Sequence, residues 1–275
     1  MLNRSASRPV VQFLALILVL FSVAACGGKN PTEYRDAPVD VLYNEGMAFL
    51  QRGLYLQAAE KFSAVEQQHP YSVWARQAIL MTAYTSYLAN SYPDAILAAD
   101  RFIALHPGNK DVAYAYYLKA ICYYEQIVDV GRDQKITEEA MKALKEVTTR
   151  FPTTDYARDS QLKYDMTRDH LAGKELAIGR YYLNLHQYVA AINRFRNVIE
   201  NYQTTTQVPE ALHRLTEAYL ALGVQREAQT SAAVLGYNYP GSEWYQSSYD
   251  LLAGRDLKPA EDKSSWISRA WNQVF

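Results

Sequence analysis

The stretch VDVLYNEGMAFLQRGLYLQAAEKFSAVEQQHP, residues 39–70, decides the fold. Counted from Val39, residues Leu42, Gly46, Phe49, Ala58, Phe62, Val65 and Pro70 stand at its fourth, eighth, eleventh, twentieth, twenty-fourth, twenty-seventh and thirty-second places. Two antiparallel helices approach closely only where small residues replace bulky ones, and Gly46 and Ala58 are placed to allow that. The larger residues beside them fill the space toward a next pair. Pro70 closes the second helix, because proline has no N–H for the helical ladder and its ring collides with the preceding turn.

The pattern recurs. A frame from Arg76 places Ile79, Ala83, Ala95, Ala99, Phe102 and Pro107 in the same slots; one from Ala172 places Gly179, Tyr182, Ala191, Phe195 and Val198. A frame from Pro209 gives Leu212, Tyr219, Ala228, Ala232, Leu235 and Pro240. The spacing is 37 residues from Pro70 to Pro107 and again from Gln203 to Pro240, slightly longer than the roughly 34 residues of the tetratricopeptide repeat whose slots these are. One pair buries too little to stand alone, so the pairs must stack. The expectation is an all-α, tetratricopeptide-like solenoid of about five helix pairs.

The middle departs from a uniform array. The polar stretch from Asp129 to Thr137 separates an aromatic helix (Ala113 to Ile127) from a second one (Glu138 to Arg150), an insertion inside the third repeat. Asp159 to Leu185 is a proline-free run with helical pattern, about 40 Å if continuous, with Gly173 as the place where it could break. The organisation expected is a leader over 1–25, a lipidated cysteine and linker over 26–38, repeats one to three over 39–155, a long helix with repeats four and five over 156–252, and an amphipathic tail over 253–275.

The leader follows from its own chemistry. Arg4 and Arg8 precede an apolar run from Val10 to Ala25, which stops at Cys26-Gly27-Gly28. That is a secretory pattern, short for a membrane span, and Val23-Ala24-Ala25-Cys26 resembles a bacterial lipobox in which Cys26 becomes the acylated first residue. Two or more acyl chains give stable anchoring. Gly27 in place of Asp shows no inner-membrane retention signal and points to the outer membrane. The linker to Pro38 can extend to roughly 40 Å. Cys122 then remains as a free thiol, expected to be buried and inert among Ala120, Ile121 and Tyr123.

Of the 275 residues, 49% are hydrophobic and 28 basic side chains balance 29 acidic ones. This excludes disordered and disulfide-scaffold classes, and a net charge of −1 provides no field for nucleic acid. His69 and His106 share a slot that holds Phe151, Tyr202 and Tyr239 elsewhere, so it is a packing slot for flat rings. His170, His186 and His213 have no ligand spacing, and no phosphate loop or nucleophile elbow is present. The chain reads as a non-enzyme, without metal or cofactor beyond a covalent lipid on Cys26. Among the 23 tyrosines, Tyr55, Tyr92 and Tyr188 share one repeat slot, Tyr182 and Tyr219 another, and Tyr202 and Tyr239 a third. The slots that face the concave groove in tetratricopeptide proteins hold Asp40, Tyr43, Met47, Leu50 and Gln51, then Gln77, Leu80, Tyr84, Tyr87 and Leu88, an aromatic and apolar rather than cationic set suited to an extended peptide; the alternative is that Tyr84 and Tyr87 only pack against neighbouring helices.

Several stretches go beyond the general repeat: Ala99-Asp100-Arg101-Phe102-Ile103, Tyr114-Ala115-Tyr116-Tyr117-Leu118, Gly131-Arg132-Asp133-Gln134, Arg180-Tyr181-Tyr182, and Tyr188-Val189-Ala190-Ala191-Ile192-Asn193-Arg194. With the lipobox, they make residues 26 to about 245 resemble the BamD family (YfiO/ComL) of the β-barrel assembly machinery. The resemblance implies a noncatalytic adaptor, lipid-anchored to the outer membrane and facing the periplasm. Its carboxy-terminal repeats would dock a POTRA domain of BamA, with Arg194 meeting an acidic residue there, beside other lipoproteins of the machinery. Its amino-terminal repeats would take the aromatic carboxy-terminal signal of unfolded outer-membrane proteins in the groove of Tyr43, Met47, Tyr84 and Tyr87. Leu56 stands where some members carry a basic residue, and the tail with Trp266, Ile267, Ala270, Trp271, Val274 and Phe275 is longer than in some relatives. That tail either docks on a subunit or the membrane interface, or packs on the last repeat. The competing reading is another outer-membrane scaffold of this repeat class, coordinating peptidoglycan synthesis with division.

Overall fold

In the computed structural model, which describes residues 37–271, helices follow one another in pairs, and no strand occurs among the described residues. The pairs are α1 (Val39–Gln51) with α2 (Tyr55–Gln68), α3 (Val73–Leu88) with α4 (Tyr92–Leu105), and α5 (Val112–Tyr124) with α6 (Lys135–Arg150). A long α7 (Asp155–Asn184) then precedes α8 (Tyr188–Asn201), followed by α9 (Val208–Ala221) with α10 (Gln225–Asn238), α11 (Glu243–Ala253) and a short α12 (Trp266–Trp271). From α1 to α10 each helix packs on the next in sequence, and α3 also touches α5 as α5 touches α7. This is an all-α tetratricopeptide-like solenoid. Cys26, Val274 and Phe275 lie outside the described residues.

Three helix starts are held by a hydroxyl that accepts from an orphan backbone N–H: Ser72 before α3, Thr154 before α7 and Ser242 before α11. α7 begins four residues before the start that periodicity predicts, because the Thr154 hydroxyl accepts from the Ala157 N–H at 3.2 Å and Asp155 lies in the first turn, where an acid favours the dipole. α6 begins three residues early without a side-chain cap bond from Gln134, which instead ties the loop before it. Gln134 is buried, its amide donates to the carbonyls of Asp129 and Arg132 at 3.1 and 3.0 Å, and its Oε1 accepts from Thr137 at 2.9 Å. One amide thus closes the inserted loop onto the helix.

α7 runs unbroken for 30 residues. A Cβ at Gly173 would meet nothing closer than Val130 Cγ1 at 3.8 Å, so this glycine serves no close approach and carries no break. Six residues later Gly179 is different: a Cβ there would lie 2.3 Å from the ring of Phe195, which is fully buried. The first half of α7 packs on α5 and α6, and its second half is the first helix of the fourth pair, against α8.

The core is divided unevenly. One continuous cluster runs from Ala172 through α8, α9 and α10 to Leu252, Ile267 and Trp271, whereas the first three pairs bury four separate, smaller clusters. The tail completes the larger one. Residues 258–262 lie along α10, where Gln229 donates to the Lys258 carbonyl at 2.8 Å and the Ala260 N–H donates to the Gln229 carbonyl at 3.3 Å. Ile267 and Trp271 then insert into the core, and the Trp266 indole N–H donates to the Tyr219 hydroxyl at 2.9 Å. Of the two roles open to the tail, its described part packs on the carboxy-terminal pairs.

The two glycines of α7 predict opposite outcomes. Gly173→Ala is expected to raise the melting temperature by about 1–3 °C through helix propensity alone. Gly179→Ala should lower it by about 3–6 °C, since the ring it strikes has no room to move. Thermal unfolding of the two variants beside the parent checks this, and equal shifts would refute the close-approach role of Gly179.

Candidate partner-binding surfaces

The amino-terminal half carries a tyrosine array drawn from three helices. Tyr84 on α3, Tyr114 on α5 and Tyr156 at the start of α7 follow one another at ring separations of 6.5 and 5.6 Å, and Tyr117 stacks on Tyr156 at 5.1 Å. Gln77, Leu80 and Tyr84 line a cavity of about 420 Å³ with Tyr114 and Tyr156, and Lys110 and Asp111 stand at it. The Tyr117 hydroxyl donates to Asp159 at 2.8 Å, and Lys163 donates to the same carboxylate at 2.7 Å. Burial alone would raise the Asp159 pKa, but the bonds from Lys163 and Tyr117 outweigh it and hold the carboxyl below its usual range. Burial pushes the Tyr114 and Tyr117 hydroxyls well above the ordinary phenol value, aided for Tyr117 by its bond to Asp159. These rings therefore stay neutral and keep a proton to donate.

The four groove residues expected from sequence do not converge on that cavity. Tyr43 turns onto Phe62 and Trp74, at 5.3 and 4.8 Å, and Met47 packs on the same first-pair cluster. Tyr87 packs on the cluster of Ala83, Ala98, Ala99 and Leu118, 6.3 Å from Tyr92. Tyr84 alone of the four lines the cavity. Tyr114 and Tyr156, which line it too, lie where the repeat count was interrupted: one in the repeat carrying the insertion, the other just before the expected start of the long helix. Cys122 is fully buried, and burial pushes its thiol up to about 12, as an inert structural cysteine requires.

Arg194 lies on α8 and reaches back to α7. Its Nη1 donates to Glu175 at 3.2 Å, with the arginine side chain 42% exposed and Glu175 mostly covered. Together with Tyr182, Ala190, Asn193 and Asn197 the pair borders a shallow cavity of about 330 Å³. The guanidinium is thus held from one side and open on the other, a geometry that leaves donors for a second carboxylate. Arg196, two residues on and so on the other face of α8, caps the Trp266 ring at 4.6 Å.

Residues 35–235 match the family described as YfiO, outer membrane lipoprotein. The outer membrane protein assembly factor BamD of Caulobacter vibrioides is 54% identical over 263 residues, covering 94% of this chain and 86% of that protein. The chain belongs to the BamD family. Its counterpart in Rickettsia prowazekii is 48% identical over 238 residues, 86% of this chain and 95% of that one, and that of Neisseria meningitidis serogroup A is 32% identical over 247 residues, 86% and 92%. The family's members are outer membrane protein assembly factors, and the array of helix pairs described above is what this chain contributes to that role. No helix among the described residues is long and apolar enough to cross a membrane.

The carboxy-terminal core contains a buried histidine with a testable signature. His213 Nδ1 sits 2.9 Å from the Ser248 hydroxyl, and its ring lies 5.2 Å from Trp244. Burial, then the adjacent Arg214, lowers its pKa below 6.5. The unfolded chain therefore binds a proton that the folded one refuses as pH falls below about 6.5, so the contribution of His213 is full above that value and is lost toward its lower folded pKa. Melting temperatures measured from pH 7.5 to 5 should fall more steeply for the parent than for His213→Gln.

Proposed function

We propose that this chain is a noncatalytic adaptor of the β-barrel assembly machinery, acylated on Cys26, held at the periplasmic face of the outer membrane and acting on unfolded outer-membrane proteins. The observation that carries this reading is the 54% identity to a BamD assembly factor over 94% of the chain. The anchor reading is supported by the Val23-Ala24-Ala25-Cys26 stop behind an apolar run and by the lipoprotein description of the family. In this reading the fourth and fifth pairs dock the POTRA domain of BamA, and other lipoproteins of the machinery bind the same scaffold. The half-open Arg194 head supports its role as the charged anchor of that contact. The amino-terminal pairs receive the aromatic carboxy-terminal signal of a client strand, with Tyr43, Met47, Tyr84 and Tyr87 on the receiving side and Tyr114 and Tyr156 added to them by the cavity they share with Tyr84.

Affinity purification of the full-length protein in mild detergent should bring down BamA, and its absence would sink the adaptor reading. Arg194→Glu should reduce recovered BamA at least about tenfold. Because that change also sets two carboxylates against each other, the reversed pair Arg194→Glu with Glu175→Arg is the decisive variant. It rebuilds the internal ion pair and melting temperature, yet should leave BamA recovery low if Arg194 faces the partner; full recovery would make the arginine a purely internal residue.

Cys26→Ser tests the anchor. Placed behind an ordinary cleavable secretory leader, so that the apolar run is still removed, the variant is expected to leave the membrane fraction for the soluble periplasmic extract, and continued outer-membrane retention in cells depleted of BamA would refute lipid anchoring.

A further inference from the structure

The corner between α2 and α3 breaks a rule that its counterparts keep. Three such corners share a hydroxyl cap followed two residues later by an aromatic ring: Ser72 and Trp74, Thr154 and Tyr156, Ser242 and Trp244. Trp74 belongs to the scaffold, stacked on Tyr43. The residue before the cap, however, is Thr153 or Gly241 in the other two corners and Tyr71 here, and the first helical residue is Asp155 or Glu243 against Val73. The second helix of a pair ends in Gln68, Arg150, Asn201 or Asn238, but α4 ends in Leu105. Small, polar or acidic residues at these slots suit a solvated helix start. Tyr71 is fully exposed, Val73 79% and Leu105 59% exposed, and all three line one cleft of about 490 Å³ together with Arg76. The fold gives none of the three apolar side chains a partner large enough to explain it.

The chain from Cys26 arrives at this same corner. The Ala37 N–H donates to Gln68 Oε1 at 3.1 Å, and His69 Nε2 donates to the Ala37 carbonyl at 2.7 Å. Ala37 is therefore pinned two residues from Tyr71, and eleven residue steps separate it from Cys26, a reach of at most about 40 Å. We propose that this corner rests on the lipid surface, with Val73 and Leu105 against the acyl boundary, Tyr71 at headgroup level and Arg76 toward lipid phosphate. Tyrosine suits that depth because its ring is apolar and its hydroxyl wet. Three side chains bind a membrane weakly by themselves, but a tether attached beside them makes the contact intramolecular. The proposal rests on the reading of Cys26 as acylated and adds an orientation: the amino-terminal corner faces the bilayer.

The test places a polarity-sensitive dye at Tyr71→Cys in the full acylated protein, on vesicles of phosphatidylethanolamine and phosphatidylglycerol. Cys122 is buried and does not compete for label. Emission at position 71 should shift to the blue and be quenched by brominated lipid, while the same dye at Thr153→Cys, the matching site of another corner, stays in water. Water-like emission at both positions overturns the proposal. Failure of the parent to float with vesicles removes the anchor reading and this proposal with it, whereas flotation with an unquenched label removes the proposal alone. Shielding that appears only when purified BamA is added assigns the cleft to a protein and overturns the lipid assignment. The variant Tyr71→Thr, Val73→Asp, Leu105→Asn, built from residues of the other repeats, should keep its melting temperature within about 2 °C, and a dye at Arg76→Cys that brominated lipid quenches in the otherwise unchanged protein should lose that quenching in the variant; unchanged quenching would also overturn the proposal.

Discussion

The structure depends on one contact repeated five times: a small residue on the first helix of each pair facing a core residue on the second. The chain meets it in more than one way. Gly46 faces Phe62 and Gly179 faces Phe195, each glycine leaving no room for a methyl group. In the other pairs the matching slots hold Ala83 with Ala99, Ala120 with Leu144, and Thr216 with Ala232, and all six are buried. Where the first helix gives up its side chain, the second supplies a ring. Where the first keeps a methyl or hydroxyl, the second holds an aliphatic residue, Ala99, Leu144 or Ala232, in place of the ring. Interiors are packed to crystal density, so a methyl added at Gly46 or Gly179 would have to displace the ring it meets.

That contact holds pairs together; what joins pair to pair differs between the two halves. The carboxy-terminal pairs share one core, sealed by Ile267 and Trp271 from the tail and by the bond between Trp266 and Tyr219. The amino-terminal pairs bury separate clusters and meet through tyrosines. A tyrosine between helices covers area with an apolar face but must keep its hydroxyl satisfied, as Tyr117 does on Asp159, so the joints stay polar and leave a cavity between Tyr84 and Tyr156. A continuous aliphatic core suits a surface that presents fixed geometry to a folded partner. A chain of tyrosine-lined joints suits one that receives varied extended segments, since rings can stack on many side chains at little entropic cost.

The pair contact was legible in the sequence because it recurs at fixed slots and needs only residue size to be recognised. The caps were less legible. Thr154 caps a helix start and Gln134 ties the loop before another, each through one side chain, which periodicity does not register, although the repeated hydroxyl-x-aromatic triplets at Ser72, Thr154 and Ser242 carry the signal of the caps. They put Tyr156 at a helix start in the slot that Trp74 and Trp244 hold, while its place at the cavity is set by Tyr114 and Tyr84. Tyr43, Met47 and Tyr87 were assigned to the groove by slot, but slot fixes only the helix face. Which neighbour a ring leans on is a tertiary matter, and Phe62, Trp74 and the cluster around Leu118 draw them aside. Arg194 was reached by family resemblance; its partner Glu175 lies 19 residues away in sequence, on a helix whose register only the fold reveals.

α7 is what makes the two surfaces one object. Tyr156 stands near its start and Glu175, which orients Arg194, lies 19 residues further along, about 28 Å at the rise of an α-helix. Had the helix broken at Gly173, the halves would join through a hinge and the distance between cavity and arginine would vary with it. Instead the residues on either side of Gly173 are braced from outside the helix. Asp169 accepts from the Thr206 N–H at 2.7 Å and from Gln207 at 3.0 Å, Arg168 donates to Thr204 at 2.8 Å, and Lys174 reaches the Arg132 carbonyl at 3.3 Å. These bonds tie the α8–α9 turn and the inserted loop to the same stretch of α7. The insertion that interrupts the third repeat thus braces the middle of α7 from one side and the α8–α9 turn from another, and the tyrosine cavity and the open arginine keep a fixed separation along one helix.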